Sequence, residues 1–544
     1  MRRLSPAETR TTFDSLNQNP SHHPASQRCF QAFTCFIGKG QHSYIAIEMD
    51  SQRGGDGLGS LVQSESKHAI VSRLAEQDKI PWYSKPNLRR LYFLMLPTCL
   101  AAEMMSGFGS SVINGLQAVP SWIEYYDHPR SSSLGLMTAM DSLGSLAALP
   151  FVPSIVDKLG RRDSIFLGAV ISIAGGILQG SAMSFLMFVV ARFVFGFAKV
   201  ICIVAASSLI GELSHPKERA IMGGLFDTSW DLGAITAAAV TLWTFSMTSN
   251  WGWRIPSFLQ VVPGLLQISF IWFLPESPRW LISRGRGNEA YAIIMKYHAE
   301  GDEDSEFAKA EYTQIKETLE AELKTAQTNQ KEVLSTPGMR RRVIIAVSLG
   351  LFASWSGVDL IVYLLSPILD SIGIHDNRTK NIVNLAKTSW GLVNGTFMAL
   401  IVPRYPRRRM FLACTISLFV VFTAWTIASA EYSFSRSKIS AQAVLALIFL
   451  YSPAYNMGFN VLTYTYLVEL FPFHVRARGI TVYQWCYRGA GFLGQFANPI
   501  GMDLAGWKWY MVYCVWNAFQ VVFVYLMFPE TSGRTLEELS FCKC

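Results

Sequence analysis

Charge is scarce in this chain of 544 residues: 16% are Asp, Glu, Lys or Arg, against roughly a quarter in an ordinary soluble domain. Half of the positions are hydrophobic, so too few charged groups remain to clothe a water-soluble surface of this size. Cysteine is also sparse. Of nine, Cys99, Cys202, Cys414, Cys486 and Cys514 lie in apolar stretches, where a thiol behaves as a small buried hydrophobe, and no disulfide framework or zinc spacing emerges. Cys542 and Cys544 are the one candidate pair for lipidation. The polar segments lack a nucleophile elbow, a phosphate loop and a metal-ligand cluster, which argues against an enzyme, a metal site, a cofactor or an ATP-driven machine. A secretory leader is missing too: Cys29 to Ile37 is too short and too interrupted to be its apolar core.

What the chain does contain is long uncharged runs. Ser164–Ala182 and Met410–Ala430 each extend about twenty residues, the length of a helix crossing a hydrocarbon core of about 30 Å. Apolar spans are expected at 91–115, 133–156, 164–182, 185–211, 221–246 and 255–274, and again at 343–366, 381–402, 410–430, 441–470, 479–502 and 509–528. The expected fold is therefore an all-α integral membrane protein with twelve transmembrane helices in two six-helix bundles. The net charge of +8 is not a nucleic-acid surface, because the basic residues sit in short loops. Lys158, Arg161, Arg162, Lys217, Arg219, Arg404, Arg407, Arg408, Arg409, Arg476 and Arg478 all fall on one side, which predicts that both termini are cytoplasmic.

Around the spans, residues 1–86 are polar and aperiodic, a disordered cytoplasmic tail by composition, in which Met49 is a plausible alternative start. Residues 87–274 form the first bundle, 275–342 a cytoplasmic central loop with short helices, 343–528 the second bundle, and 529–544 a short cytoplasmic tail. The interleaved acids and lysines of Glu306–Lys324 suit a solvated, salt-bridged helix. The bundles are duplicated: Glu212 precedes Arg219 by seven residues, as Glu469 precedes Arg476, and Pro275-Glu276-Ser277 is echoed by Pro529-Glu530-Thr531.

With Asp157-Lys158-Leu159-Gly160-Arg161-Arg162, Arg192, Glu212 to Arg219, PESPRW at 275–280, Tyr466 to Arg476 and PETSGRTLEEL at 529–539 in view, the chain resembles the sugar porters of the major facilitator superfamily. The ordered matches cover residues from about 90 to 539. Asn114-Gly115-Leu116-Gln117, Trp251 to Pro256 and Asn498-Pro499-Ile500-Gly501 are most similar to the fungal lactose-permease and hexose-transporter-like group. The resemblance implies transport of a sugar, hexose or disaccharide, by alternating access across the plasma membrane, by a functional monomer in the lipid bilayer, with a proton as possible co-substrate.

It also implies roles. Asp157, Arg161, Arg162, Glu212, Arg219, Glu276, Arg279, Glu469 and Arg476 correspond to a gating charge network, asymmetric here because Pro403 and Pro406 stand where the second half often has Asp and Gly. Asp227, Asn456, Asn460 and Tyr464 fall along sugar-contacting stretches, Tyr487 and Arg488 near a further pair, and Tyr363 at an outer gate. Asp231, one turn from Asp227, shares its face.

Charge inside a span costs roughly 2.5–3.5 kcal/mol on insertion scales, so Glu103, Asp141, Arg192, Asp227, Asp231, Asp359 and Arg488 each ask for a partner or a watery cavity. Arg192 and Arg488 are expected to pair with acids, and Glu103, Arg192 and Asp227 are candidates for proton coupling. The family's span-one Gly-Tyr-Asp-Gly reads Gly107-Phe108-Gly109-Ser110 here, so the coupling carboxylate is replaced by Gly109; in span 7, Ser354 and Val358 replace a Gln and an Asn. A facilitator and a proton symporter that uses another acid both remain open, as do a nutrient sensor built like a transporter and a porter for a non-sugar solute. Asn377-Arg378-Thr379 forms a glycosylation acceptor expected on the outer face, whereas Asn394-Gly395-Thr396 lies inside span 8.

Overall fold

The computed structural model describes Leu74 and residues 80–326, 337–401, 404–471 and 473–531. Most of the N-terminal tail, Pro403, the side chain of Arg476, and the C-terminal residues from 532 on, including Cys542 and Cys544, lie outside these.

Twelve helical passes succeed one another among the described residues. Span 1 runs from Pro86 to Leu116 through a wide π turn at Leu96–Leu100; span 2 is Ser131–Ala148 followed by Val152–Leu159, bent by 56°. Spans 3 to 6 are Arg161–Gly180, Phe185–Leu213, Arg219–Thr244 and Trp251–Phe273. Span 7 comprises Pro337–Trp355 and Val358–Tyr363; spans 8 and 9 are Asn377–Ile401 and Arg407–Ser435. Span 10 is Lys438–Tyr455, a π turn at Asn456–Asn460 and Thr463–Leu470; spans 11 and 12 are Phe473–Ala505 and Tyr510–Met527. Prolines at first turns (Pro86, Pro278, Pro337) and the side chains of Ser184, Ser277 and Ser437, which accept the backbone N–H of Met187, Trp280 and Ile439, explain where several of these helices begin.

By length and composition alone, eight stretches qualify as membrane-crossing, spans 11 and 12 being fused into one of them, and bent span 2 would make a ninth. Spans 5 and 8 do not qualify; Asp227 and Asp231 in span 5, and Lys380, Lys387, Asn384 and Asn394 in span 8, dilute their apolar character. These charges face protein and cavity rather than lipid, the condition under which a membrane helix tolerates them.

Span 7 breaks at Gly357, whose φ of +103° suits glycine alone; a Cβ there would also lie 2.2 Å from the Phe422 ring. The break lets Asp359 and Tyr363 turn inward. Between spans 6 and 7 lie three short helices, Pro278–Ser283, Gly287–His298 and Glu306–Ala326. They are docked on the bundle: the Glu300 carboxylate accepts the N–H groups of Asn87 and Leu88 at 3.0 and 2.9 Å, capping span 1, and His298 bonds the Leu213 carbonyl at the end of span 4.

The halves meet tightly at the end of the bundle where span 1 finishes. There the Gln117 amide donates to the Tyr363 carbonyl at 2.6 Å, Ser110 and Tyr363 share a hydroxyl hydrogen bond of 3.1 Å, and Asn114 donates to Asn384 at 3.1 Å. Thr138 and Ser142 of span 2 bond Gln495 of span 11. These contacts close the far end of the bundle; the charged motifs occupy the other.

Candidate functional site

Between the halves lies a cavity of about 250 Å³, walled by spans 1, 2, 4, 5, 7, 8, 10 and 11. Asp227, Asp231, Tyr363, Asn456, Asn460, Tyr464, Tyr487 and Arg488, the eight candidates for solute contact, are brought together on its wall, and Glu103 joins them. Pro453 and the π turn of span 10 shape one side. There Asn460 donates to Asn456 at 3.0 Å, and Asn456 donates to Asn394 at 2.5 Å, which in turn bonds Ser452. Such amides present donors and acceptors to hydroxyl groups. Tyr464, 41% exposed, faces Tyr483 edge-on, and Tyr483 stacks on Tyr487 at 5.8 Å, giving an aromatic wall. Arg488 lies over the Tyr487 ring at 5.6 Å and within electrostatic reach of Glu103. Asp359 accepts from Ser354 and Gln495, both at 3.4 Å.

Arg192 departs from expectation. It is fully buried but pairs with no acid among the described residues: its guanidinium donates to the Gly109 carbonyl at 2.9 Å and the Met137 carbonyl at 3.3 Å. A Cβ on Gly109 would lie 2.5 Å from the Phe195 ring, so that ring fills the volume a span-one carboxylate would need. Asp141 finds its partner instead in Lys199, a buried ion pair that sequence reasoning missed because Lys199 lies in a long apolar stretch of span 4 and matches none of the family motifs. Lys387 and Asn394 are likewise missed by sequence reasoning, in which Asn394 figures only as an acceptor sequon; its span-8 position two turns from Lys387 is the available signal.

The charged motifs form two separate clusters. In the first half, Arg161 pairs with Glu212 at 3.1 Å, and Glu276 accepts the backbone N–H groups of Arg161 and Arg162, each at 3.1 Å, while Ser277 bonds Glu212. Gly160, at φ +95°, makes this possible: a Cβ there would lie 2.6 Å from the Glu276 carboxylate. In the second half Arg407 pairs with Glu469 at 3.2 Å, Glu530 accepts the N–H groups of Arg407 and Arg408 at 2.9 and 3.2 Å, and Thr531 bonds Glu469 at 2.5 Å. The expected asymmetry is thus confined to the periphery. Pro406, at φ −57°, enters the helix by a different turn, yet the Arg–Glu–Glu core is repeated. Asp157 is 76% exposed and only 4.0 Å from Arg161; Arg219 bonds the Ser214 carbonyl at 3.4 Å, with Glu212 and Glu311 in electrostatic reach, and Arg279 makes no direct ion pair among the described residues. Burial raises the Glu276 carboxyl above its ordinary value, against the pull of the backbone N–H groups it accepts.

Comparison with known proteins decides the family. A family model described as "Sugar (and other) transporter" matches residues 94–541. The chain belongs to that family. It is 25% identical over 483 residues to a high-affinity glucose transporter of Kluyveromyces lactis, covering 84% of this chain and 86% of the other. It is 24% identical to the MFS-type transporter criB of Aspergillus cristatus, covering 80% and 89%. Among solved structures, a partially occluded inward-open conformation of the xylose transporter XylE from E. coli superposes with a TM-score of 0.69 at 19% identity, over 82% of this chain and 99% of that one. The fold is the twelve-helix major facilitator fold, and this family member is a membrane transporter, not an enzyme.

Proposed function

We propose that this transporter carries a sugar, hexose or disaccharide, by alternating access, as a monomer in the plasma membrane with both termini cytoplasmic. The observation that carries the reading is the cavity between the halves, where amides, carboxylates and stacked tyrosines converge as a ring of hydroxyls with an apolar face requires. With the charged motifs on the cytoplasmic side, the closed far end is the outer one, so this conformation faces inward, and Tyr363 serves as an outer-gate residue bonded to span 1. Asn377, at the first turn of span 8 on that outer end, is the glycosylation site. The Arg161–Glu212–Glu276 and Arg407–Glu469–Glu530 clusters tie helix ends within each half and stiffen it as a body that rocks against the other.

Transport is facilitated, driven by the solute gradient alone, because Gly109 stands where the family's span-one coupling carboxylate would be and Arg192 is occupied by backbone carbonyls. A proton-coupled reading is favoured by one observation, the presence of Glu103 and Asp227 on the cavity wall within electrostatic reach of one another. Uptake of labelled glucose, galactose, lactose and cellobiose by cells lacking their own sugar transporters tests both readings. Protonophore-insensitive uptake is expected. Uptake abolished by protonophore, and no longer accumulative in Asp227→Asn, would replace the facilitator by a symporter. No uptake of any of the four despite surface expression would overturn the sugar assignment and favour the sensor or a different solute.

A further inference from the structure

Two opposite charges reach into the cavity from opposite halves without touching. Asp231 projects from span 5 and Lys387 from span 8, and each lies within electrostatic reach of the other. Neither makes an ion pair within 4.0 Å or a side-chain hydrogen bond among the described residues. Two other charged residues of the cavity wall do have partners: Lys199 is tied to Asp141, and Asp359 to Ser354 and Gln495. The carboxylate lies against span 8 itself. A Cβ on Gly391 would lie 3.0 Å from Asp231 Oδ1, and one on Gly395 3.6 Å from Oδ2. Lys387, Gly391 and Gly395 follow at intervals of four, so they share one helix face, with the lysine one turn beyond the glycines.

Lys387 is only 9% exposed. A buried ammonium is a donor only, and an ionised carboxylate an acceptor only, so each needs a complementary group that the other, held out of reach, does not supply. A hydroxyl both donates and accepts. We propose that Asp231 and Lys387 form a two-pole subsite shared between the halves, taking a vicinal diol of the substrate: one hydroxyl donates to Asp231 and its neighbour accepts from Lys387. The inference rests on the sugar reading and deepens it. It gives a ligand with adjacent hydroxyls a means of bridging the halves, which a solute lacking the pair does not have.

The test is equilibrium binding to the purified full-length protein. The panel is glucose, galactose, lactose and cellobiose, followed by the monodeoxy analogues of whichever binds tightest. Wild type is compared with Asp231→Asn, Lys387→Met, Lys387→Gln and the Asp231→Asn/Lys387→Met double variant, each checked for monodisperse elution. Each single variant should bind the parent sugar about 10- to 100-fold more weakly, the scale of a hydrogen bond to a charged group. The double variant should lose little more than the weaker single, because the diol is released as a unit. The monodeoxy sugars that wild type rejects should be rejected less by both single variants. Parent affinity unchanged in Asp231→Asn and in both Lys387 variants would overturn the subsite and leave the sugar reading standing. So would weakened binding that keeps the wild-type ranking of deoxy analogues. Failure of wild type to bind any of the four sugars would overturn the sugar reading, and the diol subsite with it.

Discussion

Replacing Asp141 by Asn should destabilise the folded protein by about 3–5 kcal/mol, the usual penalty for removing one member of a buried ion pair. Asp141 is fully buried on span 2 and Lys199 is 2% exposed on span 4, so the carboxylate is the direct counter-ion of an ammonium held at membrane depth. Arg192 lies close enough to add to the local positive field. Taking away the carboxylate strands that charge. An added Lys199→Met removes it, and a pair of neutral side chains of similar size should recover most of the loss, because the desolvation of both ions is then no longer required. Thermal unfolding of detergent-solubilised protein separates the cases: Asp141→Asn should unfold several degrees below wild type, and the double variant close to it. A double variant whose loss equals or exceeds that of Asp141→Asn would show that the pair is not the stabilising unit.

That pair also marks the limit of what the sequence discloses. The spans are legible because a bilayer imposes one length and one composition on them; most observed helices begin a few residues before the expected ones and end within a few residues of them, while span 12 falls one residue short at each end. Spans 5 and 8 are recognisable mainly through the repeat, since Asp227, Asp231, Lys380 and Lys387 dilute their apolar signal. Cavity-facing residues on spans 5, 7, 10 and 11 can be placed by the family pattern. What a pattern does not convey is which buried charge finds which partner. Arg192 and Lys199 lie seven residues apart on one helix, yet Arg192 meets the carbonyl that the Gly109 backbone offers and Lys199 meets a carboxylate. Beside Gly109, the Phe195 ring takes the space where a side chain would stand. The second-half charge cluster teaches the same point from the other side. Pro403 and Pro406 suggest a degraded copy, but the cluster core depends on two backbone N–H groups presented to Glu530, and a helix first turn supplies these whatever residue precedes it.

The second large effect is expected outside the membrane, where His298 and Glu311 join the central helices to each other at 2.7 Å and His298 also bonds the Leu213 carbonyl at 3.2 Å. Both side chains are about nineteen-twentieths buried, at 4% and 5% exposure. Burial alone would lower the histidine's pKa, but the charge and hydrogen bond of Glu311 overcome it and hold the pKa above its ordinary 6.5; burial would raise Glu311, and His298 holds it below 4.5. Arg219 and His215 face the pair as well, and His215 is engaged with Glu218 at 3.2 Å. A raised histidine pKa gives stability that is complete below 6.5 and is lost as pH rises through the folded-state value; a lowered glutamate pKa gives stability complete above 4.5 and lost as pH falls through its own folded-state value. The docking of Gly287–His298 and Glu306–Ala326 should therefore be firmest from about pH 4.5 to 6.5 and loosen toward alkaline pH. Glu311→Gln should cost about 1.5–3 kcal/mol in this docking, the worth of a charged hydrogen bond. Amide hydrogen exchange over residues 287–320, corrected for the intrinsic rate, should be faster in Glu311→Gln than in wild type at pH 6. The two should converge as pH rises past the histidine's folded-state value, because wild type then loses the same interaction. A difference that stays constant across that range would assign the effect of Glu311 to packing rather than to charge.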